Sequence, residues 1–337
     1  MRQGFLCLDR LLKSYKTHYM NSAKWKSRKV AIVGAGDVGA TFAFSLAQSG
    51  LADEIALIDL NENLLAGQVL DLSHGLPYYP PVSIHAGSKE DYADAQAIVI
   101  TAGASQRPGE SRLDLLQRNA RIMESIVDDI VAQGSAAVVI VVANPVDILT
   151  RVALERSGWD RSRIIGSGTV LDSARLRYLI SKYCGVGVHN VHAYILGEHG
   201  DSEFAAWSLT NIGGIPVDAY IQESHTKAEW HKDRARIEED VRHSAYHIIG
   251  YKGSSYFAVG LALVRIIGAI LRNQSSVLTI STLLQGEYGQ EGVCISVPCL
   301  IDGDGVKRII KAELPEGEAE ALGRSAEVLR KAYGQLA

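Results

Sequence analysis

Short apolar runs rich in β-branched residues alternate with amphipathic segments along the first half of the 337-residue chain. The apolar runs predict buried strands at residues 29–34, 54–59, 97–101 and 137–142. The segments between them predict helices at 38–49, 63–72 and 113–132. Strands that alternate with helices predict an α/β fold with a parallel, right-handed, doubly wound sheet.

From about residue 169 the pattern changes to mixed α+β. It predicts helices at 171–183, 228–250, 256–271 and 316–333, short strand-like pieces within 189–196, and an antiparallel hairpin at 277–284 and 293–301. We expect a dispensable N-terminal extension at 1–24, a first domain at 25–168 and a second at 169–337. No linker-like tract separates the two domains, so we expect them to pack together with a cleft between them.

Composition narrows the class of protein. Hydrophobic residues make up 47% of the chain, charged residues 21%, and the net charge is −4, as in ordinary soluble globular proteins. No basic excess suggests a nucleic-acid or membrane-surface partner, and no apolar run reaches the ~20 residues of a membrane span. The four cysteines include no CxxC pair, so we expect no disulfide framework, no metal site and a cytoplasmic location.

A dinucleotide-binding motif follows the first predicted strand. Gly34, Gly36 and Gly39 form GxGxxG, with Val38 at the start of the next helix. Such a turn lets the backbone approach a pyrophosphate at a helix N-terminus. Asp59 ends the next strand, where a carboxylate accepts hydrogen bonds from ribose hydroxyls and repels a 2′-phosphate. The alternative is an ordinary glycine turn, but the order of elements favours an NAD site.

Three residues in the second half have the chemistry to move a proton and bind a carboxylate. His199 lies between two glycines and has a side-chain pKa suited to proton transfer near neutrality. Asp172 is a candidate partner for the imidazole, and Arg175 lies three residues further along one helix face. A guanidinium binds a carboxylate through two parallel hydrogen bonds. Each residue alone has an ordinary structural explanation, whereas the set suits reduction of a 2-keto acid.

Five motifs now extend this pattern: GAGDVG, AGASQRPGESRLDLLQRN, ANPVD, GSGTVLDSARLR and GEHGDSE. Their content and order resemble the lactate/malate dehydrogenase family over residues 29–310. The resemblance implies that 25–168 is a Rossmann NAD-binding domain and that 169–337 carries catalysis, substrate binding and oligomerisation, in a homotetramer. A non-catalytic NAD-binding protein of this fold is the alternative from another class, which the complete set of site residues disfavours.

The resemblance also implies residue roles. His199 is the acid/base, Asp172 its partner, Arg175 the carboxylate-binding residue, and Arg112 polarises the carbonyl from a loop that closes over the substrate. Asn144 hydrogen-bonds near the histidine and precedes a proline whose peptide bond is typically cis in the family. Further cofactor contacts are expected at Gly103, Ala104, Asn144 and Ser167.

Substrate choice is expected to depend on Gln106. Malate dehydrogenases place an arginine at this position, and a neutral glutamine would leave the second carboxylate of oxaloacetate unpaired at a cost of ~3–5 kcal/mol. We therefore expect pyruvate and L-lactate as substrates. Oxaloacetate and malate are the alternative if Arg107 faces the substrate. Ser255 replaces the threonine common in the family, which predicts tolerance of slightly larger 2-keto acids.

Arg177 and His192 match the positions that bind fructose 1,6-bisphosphate in bacterial members of the family. Two such pairs across a two-fold axis would gather four cationic groups, and a bisphosphate would relieve their repulsion. We expect this compound to be an activator. The alternative is a surface arginine and an unrelated histidine.

Overall fold

The computed structural model describes residues 27–105, 109–222 and 226–336. Its helices are α1 (Asp37–Ser49), α2 (Glu62–His74), α3 (Arg112–Ala132), α4 (Val146–Ser157), α5 (Val170–Cys184), α6 (Val217–Ile221), α7 (Lys227–Lys252), α8 (Phe257–Leu271) and α9 (Glu316–Tyr333). Its strands are β1 (Lys29–Val33), β2 (Glu54–Ile58), β3 (Ser83–Ala86), β4 (Ala97–Ile100), β5 (Val138–Val141), β6 (Ile164–Gly166), β7 (Val191–His192), β8 (Ile195–Leu196), β9 (Phe204–Ala205), β10 (Asn211–Ile212), β11 (Ile215–Pro216), β12 (Ser276–Gln285), β13 (Glu291–Asp302) and β14 (Gly305–Ile309). The predicted extension at 1–24 and Gln106 lie outside the described residues.

The first six strands form the predicted parallel sheet, in the order β3-β2-β1-β4-β5-β6. β1, β4 and β5 are buried along their whole length, which is why they occur in the sequence as continuous apolar runs. The strand order reverses between β1 and β4. In open α/β sheets the crevice beyond the carboxyl ends of such a strand pair is where ligands bind.

The predicted hairpin is confirmed as β12 and β13, and it extends the first sheet. β12 pairs antiparallel with β6 at Ser281 and Gly166, and β14 follows β13, so that one nine-stranded sheet runs through both halves. Periodicity predicts that a segment is a strand but contains no information about its distant partner. Two small sheets, β11-β10-β7 and β8-β9, complete the second half.

Helix α4 is an element that the sequence pattern did not reveal. It begins directly after the cis peptide bond between Asn144 and Pro145. Nearly all of its first nine residues are buried, so it lacks the polar face that gives a surface helix its period. The short strands β3 and β6 were also not predicted, since β3 is only partly buried and β6 has three residues.

The two halves pack closely through α1 and α8. Phe42 and Leu46 of α1 share one core cluster with Leu263 and Ile267 of α8. A side chain at Gly260 would lie 3.2 Å from Thr41 of α1, so the glycine permits the close approach of the helices. No helix in the described ranges combines the length and apolar character that crossing a bilayer requires.

Candidate active site

The glycine-rich turn joins β1 to α1 at the reversal of the strand order. Gly34 has φ +106°, and a Cβ there would lie 2.7 Å from the backbone nitrogen of Ala102. A Cβ at Gly39 would lie 1.8 Å from the Gly34 carbonyl oxygen. The Thr101 hydroxyl donates a hydrogen bond to that same carbonyl at 3.1 Å. The chain's own packing therefore requires Gly34 and Gly39.

Gly36 has a different environment. Nothing lies within 4 Å of the position that its Cβ would occupy, and both Gly36 and Asp37 are exposed. No side chain caps the N-terminus of α1, so its first N–H groups and the positive end of its dipole face this space, near Val38. Open room in front of an uncapped helix N-terminus fits the pyrophosphate of a dinucleotide.

Asp59 is held in position just after β2. Its Oδ2 accepts a hydrogen bond from the Ala35 N–H at 2.7 Å, and its Oδ1 accepts one from the Asn61 N–H at 2.8 Å. A carboxylate has about four acceptor sites, so sites remain for ribose hydroxyls. The glycine-rich turn and the acidic residue are thus joined directly, and both fit NAD.

The remaining predicted cofactor residues lie beyond the carboxyl ends of neighbouring strands. Gly103 and Ala104 follow β4, Asn144 follows β5, and Ser167 follows β6. The buried side chain of Asn119 on α3 joins the first two of these segments: its Oδ1 accepts from the Ala104 N–H at 2.8 Å, and its Nδ2 donates to the Asn144 carbonyl at 3.1 Å. Sequence reasoning missed Asn119, although an asparagine on the apolar face of a predicted helix was a usable signal.

Asp172, His199 and Arg175 form one hydrogen-bonded group. The Asp172 side chain on α5 is 2% exposed. His199 Nδ1 lies 2.6 Å from its Oδ2, and Arg175 Nη1 donates to its Oδ1 at 2.7 Å. The structure therefore brings together the predicted acid/base, its partner and the carboxylate-binding arginine.

Charges in this group shift its pKa values. The adjacent Asp172 carboxylate outweighs the effect of burial and raises the pKa of His199 to about 9. Burial alone would raise the pKa of Asp172, but His199 and Arg175 together hold it below its usual value. At neutral pH the pair is an imidazolium beside a carboxylate, which is a proton donor ready for use.

Two further contacts fix the backbone around His199. The His199 N–H donates to Oδ2 of Asp147 on α4 at 2.8 Å. Burial raises the pKa of Asp147 to about 6. Gly197 has φ +100° and exchanges backbone hydrogen bonds with Ser296 of β13. Asp147 was present in the ANPVD motif but was not assigned a role from sequence.

Arg112 is not on a loop, contrary to the prediction. It is the first residue of α3, because Ser111 and Asp114 form a capping box that begins the helix there. Arg112 is exposed. A hydrogen bond of 2.7 Å to Asp201 raises the pKa of Tyr246, and the nearby Arg112 charge opposes that shift. In the described part of the chain, no hydrogen bond or ion pair joins Arg112 to the histidine group.

Arg118 on α3 binds residues on both sides of the segment that contains Gln106. Its Nη2 donates to the Ser105 carbonyl at 2.9 Å, and its guanidinium pairs with Glu110 at 2.7 Å. Ser255 lies between α7 and α8, and its neighbour Ser254 donates to Asp37 at 2.6 Å. That hydrogen bond joins the predicted substrate segment to the dinucleotide-binding turn.

The predicted effector residues lie together on the second half. Arg177 Nε donates to the carbonyl of Val191 at 2.8 Å, directly before the exposed His192. Arg177 thus contacts the strand that contains His192, whereas Arg175, two residues earlier, contacts Asp172.

Within residues 27–105, 109–222 and 226–336, two clusters have the residue types of a metal site, namely Glu54 with His85 and Asp91, and Asp172 with His199 and Glu203. In each, a side-chain cation is already paired with a carboxylate. Lys29 Nζ lies 2.7 Å from Asp91, and Arg175 is paired with Asp172. In each cluster, a cation of the chain itself thus already neutralises one carboxylate.

Comparison with known proteins agrees with this geometry. The NAD binding domain of lactate/malate dehydrogenase matches residues 28–166, and the alpha/beta C-terminal domain matches residues 169–336. An L-lactate dehydrogenase of Treponema denticola is 57% identical over 92% of this chain and 99% of its own. One from Acetivibrio thermocellus is 47% identical over 90% of this chain and 96% of its own.

Solved structures give the same result. MGS-M5, a lactate dehydrogenase enzyme from a deep-sea metagenome library of the Medee basin, is 42% identical, with a TM-score of 0.89 over 92% of this chain and 99% of its own. The minor L-lactate dehydrogenase of Enterococcus mundtii in its ligands-bound form is 39% identical, with a TM-score of 0.89 over 93% and 99% of the two chains. With its NAD site and its His199 group, the chain thus belongs to the lactate/malate dehydrogenase family and is an NAD-dependent oxidoreductase.

Proposed function

We propose that this protein is an L-lactate dehydrogenase that interconverts pyruvate and L-lactate in the cytoplasm. The observation that carries the proposal is the buried Asp172 carboxylate, which holds His199 at 2.6 Å and Arg175 at 2.7 Å. This arrangement supplies a proton donor and a carboxylate-binding group side by side. The names of the relatives from Treponema denticola and Acetivibrio thermocellus support the same activity.

Each side chain of the site has a separate role in the reaction. Bound NADH supplies a hydride to the carbonyl carbon of pyruvate. Arg175 binds the pyruvate carboxylate and His199 gives its proton to the carbonyl oxygen, so that pyruvate, NADH and one proton yield L-lactate and NAD. Asp172 stabilises the imidazolium before transfer and fixes the orientation of the ring. Arg112 contributes positive charge at the developing oxyanion once it reaches the substrate.

The test is NADH oxidation by purified protein with pyruvate, 2-ketobutyrate and oxaloacetate. We expect pyruvate to be preferred over oxaloacetate, and Ser255 to permit turnover of 2-ketobutyrate. His199→Asn should abolish the proton donor and Arg175→Lys the bidentate contact, each lowering kcat/KM for pyruvate by about 10²-fold or more. Faster turnover of oxaloacetate than of pyruvate would instead identify a malate dehydrogenase.

We further propose that fructose 1,6-bisphosphate activates the enzyme through Arg177 and His192. The proximity of Arg177 to the backbone before His192 supports a shared anion site. The control is the double variant Arg177→Gln/His192→Gln, assayed for pyruvate KM with and without the bisphosphate. A pyruvate KM that the bisphosphate leaves unchanged in the parent protein would contradict the proposal.

We propose a homotetramer in which residues 25–168 bind NAD and residues 169–337 bind substrate and neighbouring subunits. Exposed apolar side chains on α8 support an oligomer, since Phe257 and Leu261 are 66% and 64% exposed in the single chain. Sedimentation equilibrium at micromolar concentration measures the mass of the assembly. A monomer under those conditions would contradict this part of the proposal.

A further inference from the structure

Glu203 is a buried acid beside the catalytic group that the reaction outlined above does not use. It directly precedes β9, and the residue is 5% exposed. One of its carboxyl oxygens, an oxygen of Asp172 and a ring nitrogen of His199 all lie within 4.8 Å of one another. A second carboxyl group therefore lies next to the one that orients the histidine.

The surroundings of Glu203 offer little to an ionised carboxylate. Across the described ranges, no donor forms a hydrogen bond with its carboxyl oxygens. The three nearby cations form their hydrogen bonds with other groups. His199 and Arg175 pair with Asp172, and Arg242 Nη2 on α7 donates to the Glu203 backbone carbonyl at 3.2 Å and to Glu238 at 3.3 Å. Two carboxylates that share a buried site disfavour simultaneous ionisation.

The balance of these effects favours the neutral acid. Burial, followed by the Asp172 charge, raises the pKa of Glu203 to about 9, and the opposing charges of His199, Arg175 and Arg242 only reduce that shift. Because Asp172 retains its charge through its contacts with His199 and Arg175, the proton belongs on Glu203. Its burial and the neighbouring Asp172 carboxylate thus both favour the protonated form of Glu203.

We propose that Glu203 is a positioning residue that must carry its proton for pyruvate to bind productively. The inference rests on the proposed function. Pyruvate brings its own carboxylate to Arg175, which already pairs with Asp172. An ionised Glu203 would add a further negative charge to the same small space and would repel the substrate. In its protonated form, Glu203 leaves the field of Arg175 free for the incoming carboxylate.

Productive binding of pyruvate then requires two protons on the enzyme. His199 needs its proton to donate it, and Glu203 needs its own to admit the substrate. At saturating NADH, kcat/KM for pyruvate reports the protonation states of the complex that binds pyruvate. When two groups are coupled, individual pKa values are hard to assign, but the limiting slope of the pH profile still counts protons.

The kinetic test compares the parent protein with Glu203→Gln, whose amide has a similar shape and does not ionise. Above both pKa values we expect kcat/KM for pyruvate to fall about 100-fold per pH unit in the parent protein and about tenfold in the variant, each measured from its own plateau near pH 7. NADH fluorescence on binding, recorded at each pH, checks that the protein stays folded. Equal slopes in the two proteins would overturn the proposal.

A second test detects the proton on Glu203 without catalytic turnover. Infrared spectra of the parent protein at pH 8, with and without ¹³C-labelled glutamate, should contain the carbonyl band of a protonated glutamic acid that shifts on labelling and is missing from Glu203→Gln. Asp147→Asn is the matched control, since the pKa of Asp147 is about 6 and its side chain is ionised at pH 8. Absence of the band would overturn the proposal while leaving pyruvate reduction untouched. A band without pyruvate reduction at pH 7 would overturn the proposed function instead.

Discussion

Asp172 sets the protonation state of the histidine that it touches. Because its carboxylate is the largest cause of the raised His199 pKa, Asp172→Asn should return that pKa from about 9 towards ~6.5, the ordinary value for histidine. The pH at which pyruvate reduction declines should fall by about the same amount. At pH 7.5 only about a tenth of the histidine would then be protonated, and with its orientation also weakened, kcat/KM should fall about 10²-fold.

The measurement is the pH profile of pyruvate reduction from pH 6 to 10. Asp128→Asn is a matched control, since Asp128 also pairs with an arginine, Arg156 at 2.6 Å, but lies exposed at the surface. A profile of Asp172→Asn that stays flat up to about pH 8, with no new decline near pH 6.5, would show that another group raises the pKa of His199.

The residues that transfer the proton and bind the substrate carboxylate were predictable from their motifs, whereas the buried polar residues around them were not. The sequence predicts roles for Asp172, Arg175 and His199, and the structure brings the three together. Asn119 and Asp147 went unassigned because each is a polar residue within an apolar pattern whose partner is 15 to 52 residues away. Glu203 went unassigned because Asp172, the carboxylate beside it, lies on another element. Local periodicity contains no signal for such contacts.

At the scale of elements, the turn between β1 and α1 contains two kinds of glycine. Gly39→Ala places a methyl group 1.8 Å from the Gly34 carbonyl oxygen and should destabilise the protein by about 3 kcal/mol. Gly36→Ala meets no atom within 4 Å and should change stability by less than about 1 kcal/mol. We expect it instead to weaken NADH binding by about tenfold or more, because its methyl group takes space that the pyrophosphate needs.

Thermal unfolding and NADH fluorescence titration separate the two effects. The prediction for the turn is wrong if Gly36→Ala unfolds early, or if it binds NADH as the parent protein does. The GxGxxG pattern does not predict this difference, because it contains no information about the atoms around each glycine.

Helix α3 contains a second element-level prediction. Arg118→Ala removes the contacts to Ser105 and Glu110 on the two sides of the segment that contains Gln106. We expect kcat/KM for pyruvate to fall about tenfold, because small losses of positioning are costly in catalysis. Arg121→Ala, three residues along the same helix at an exposed position, is the matched control. Equal effects of the two substitutions on steady-state kinetics would argue against a specific role for Arg118.

The sequence pattern predicts a helix well when only one of its faces is buried, and a strand well when the whole strand is buried. It predicts other elements less well. α3 and α9 have amphipathic patterns and were predicted close to their observed bounds. α4 was missed because it is enclosed on nearly every side. The family resemblance placed Arg112 on a closing loop, whereas the capping box of Ser111 and Asp114 makes it the first residue of α3.

At the scale of the whole molecule, the two halves share one sheet and one core. β12 pairs directly with β6 at Ser281 and Gly166, and α1 packs on α8 within a single cluster. We therefore expect one cooperative thermal transition, with the calorimetric enthalpy equal to the van't Hoff enthalpy per cooperative unit. Scanning calorimetry measures both quantities. Two resolved transitions, one per half, would contradict this expectation.

The arrangement of Arg118 has a further implication for how such an enzyme diversifies. Its partners are the Ser105 carbonyl and the Glu110 carboxylate, so these contacts do not use the side chains of residues 106–108. Substitutions in three adjacent codons consequently leave both partners of Arg118 in place. Substrate preference can then change through substitutions within residues 106–108, and mutagenesis of these three positions is a direct route to new preferences.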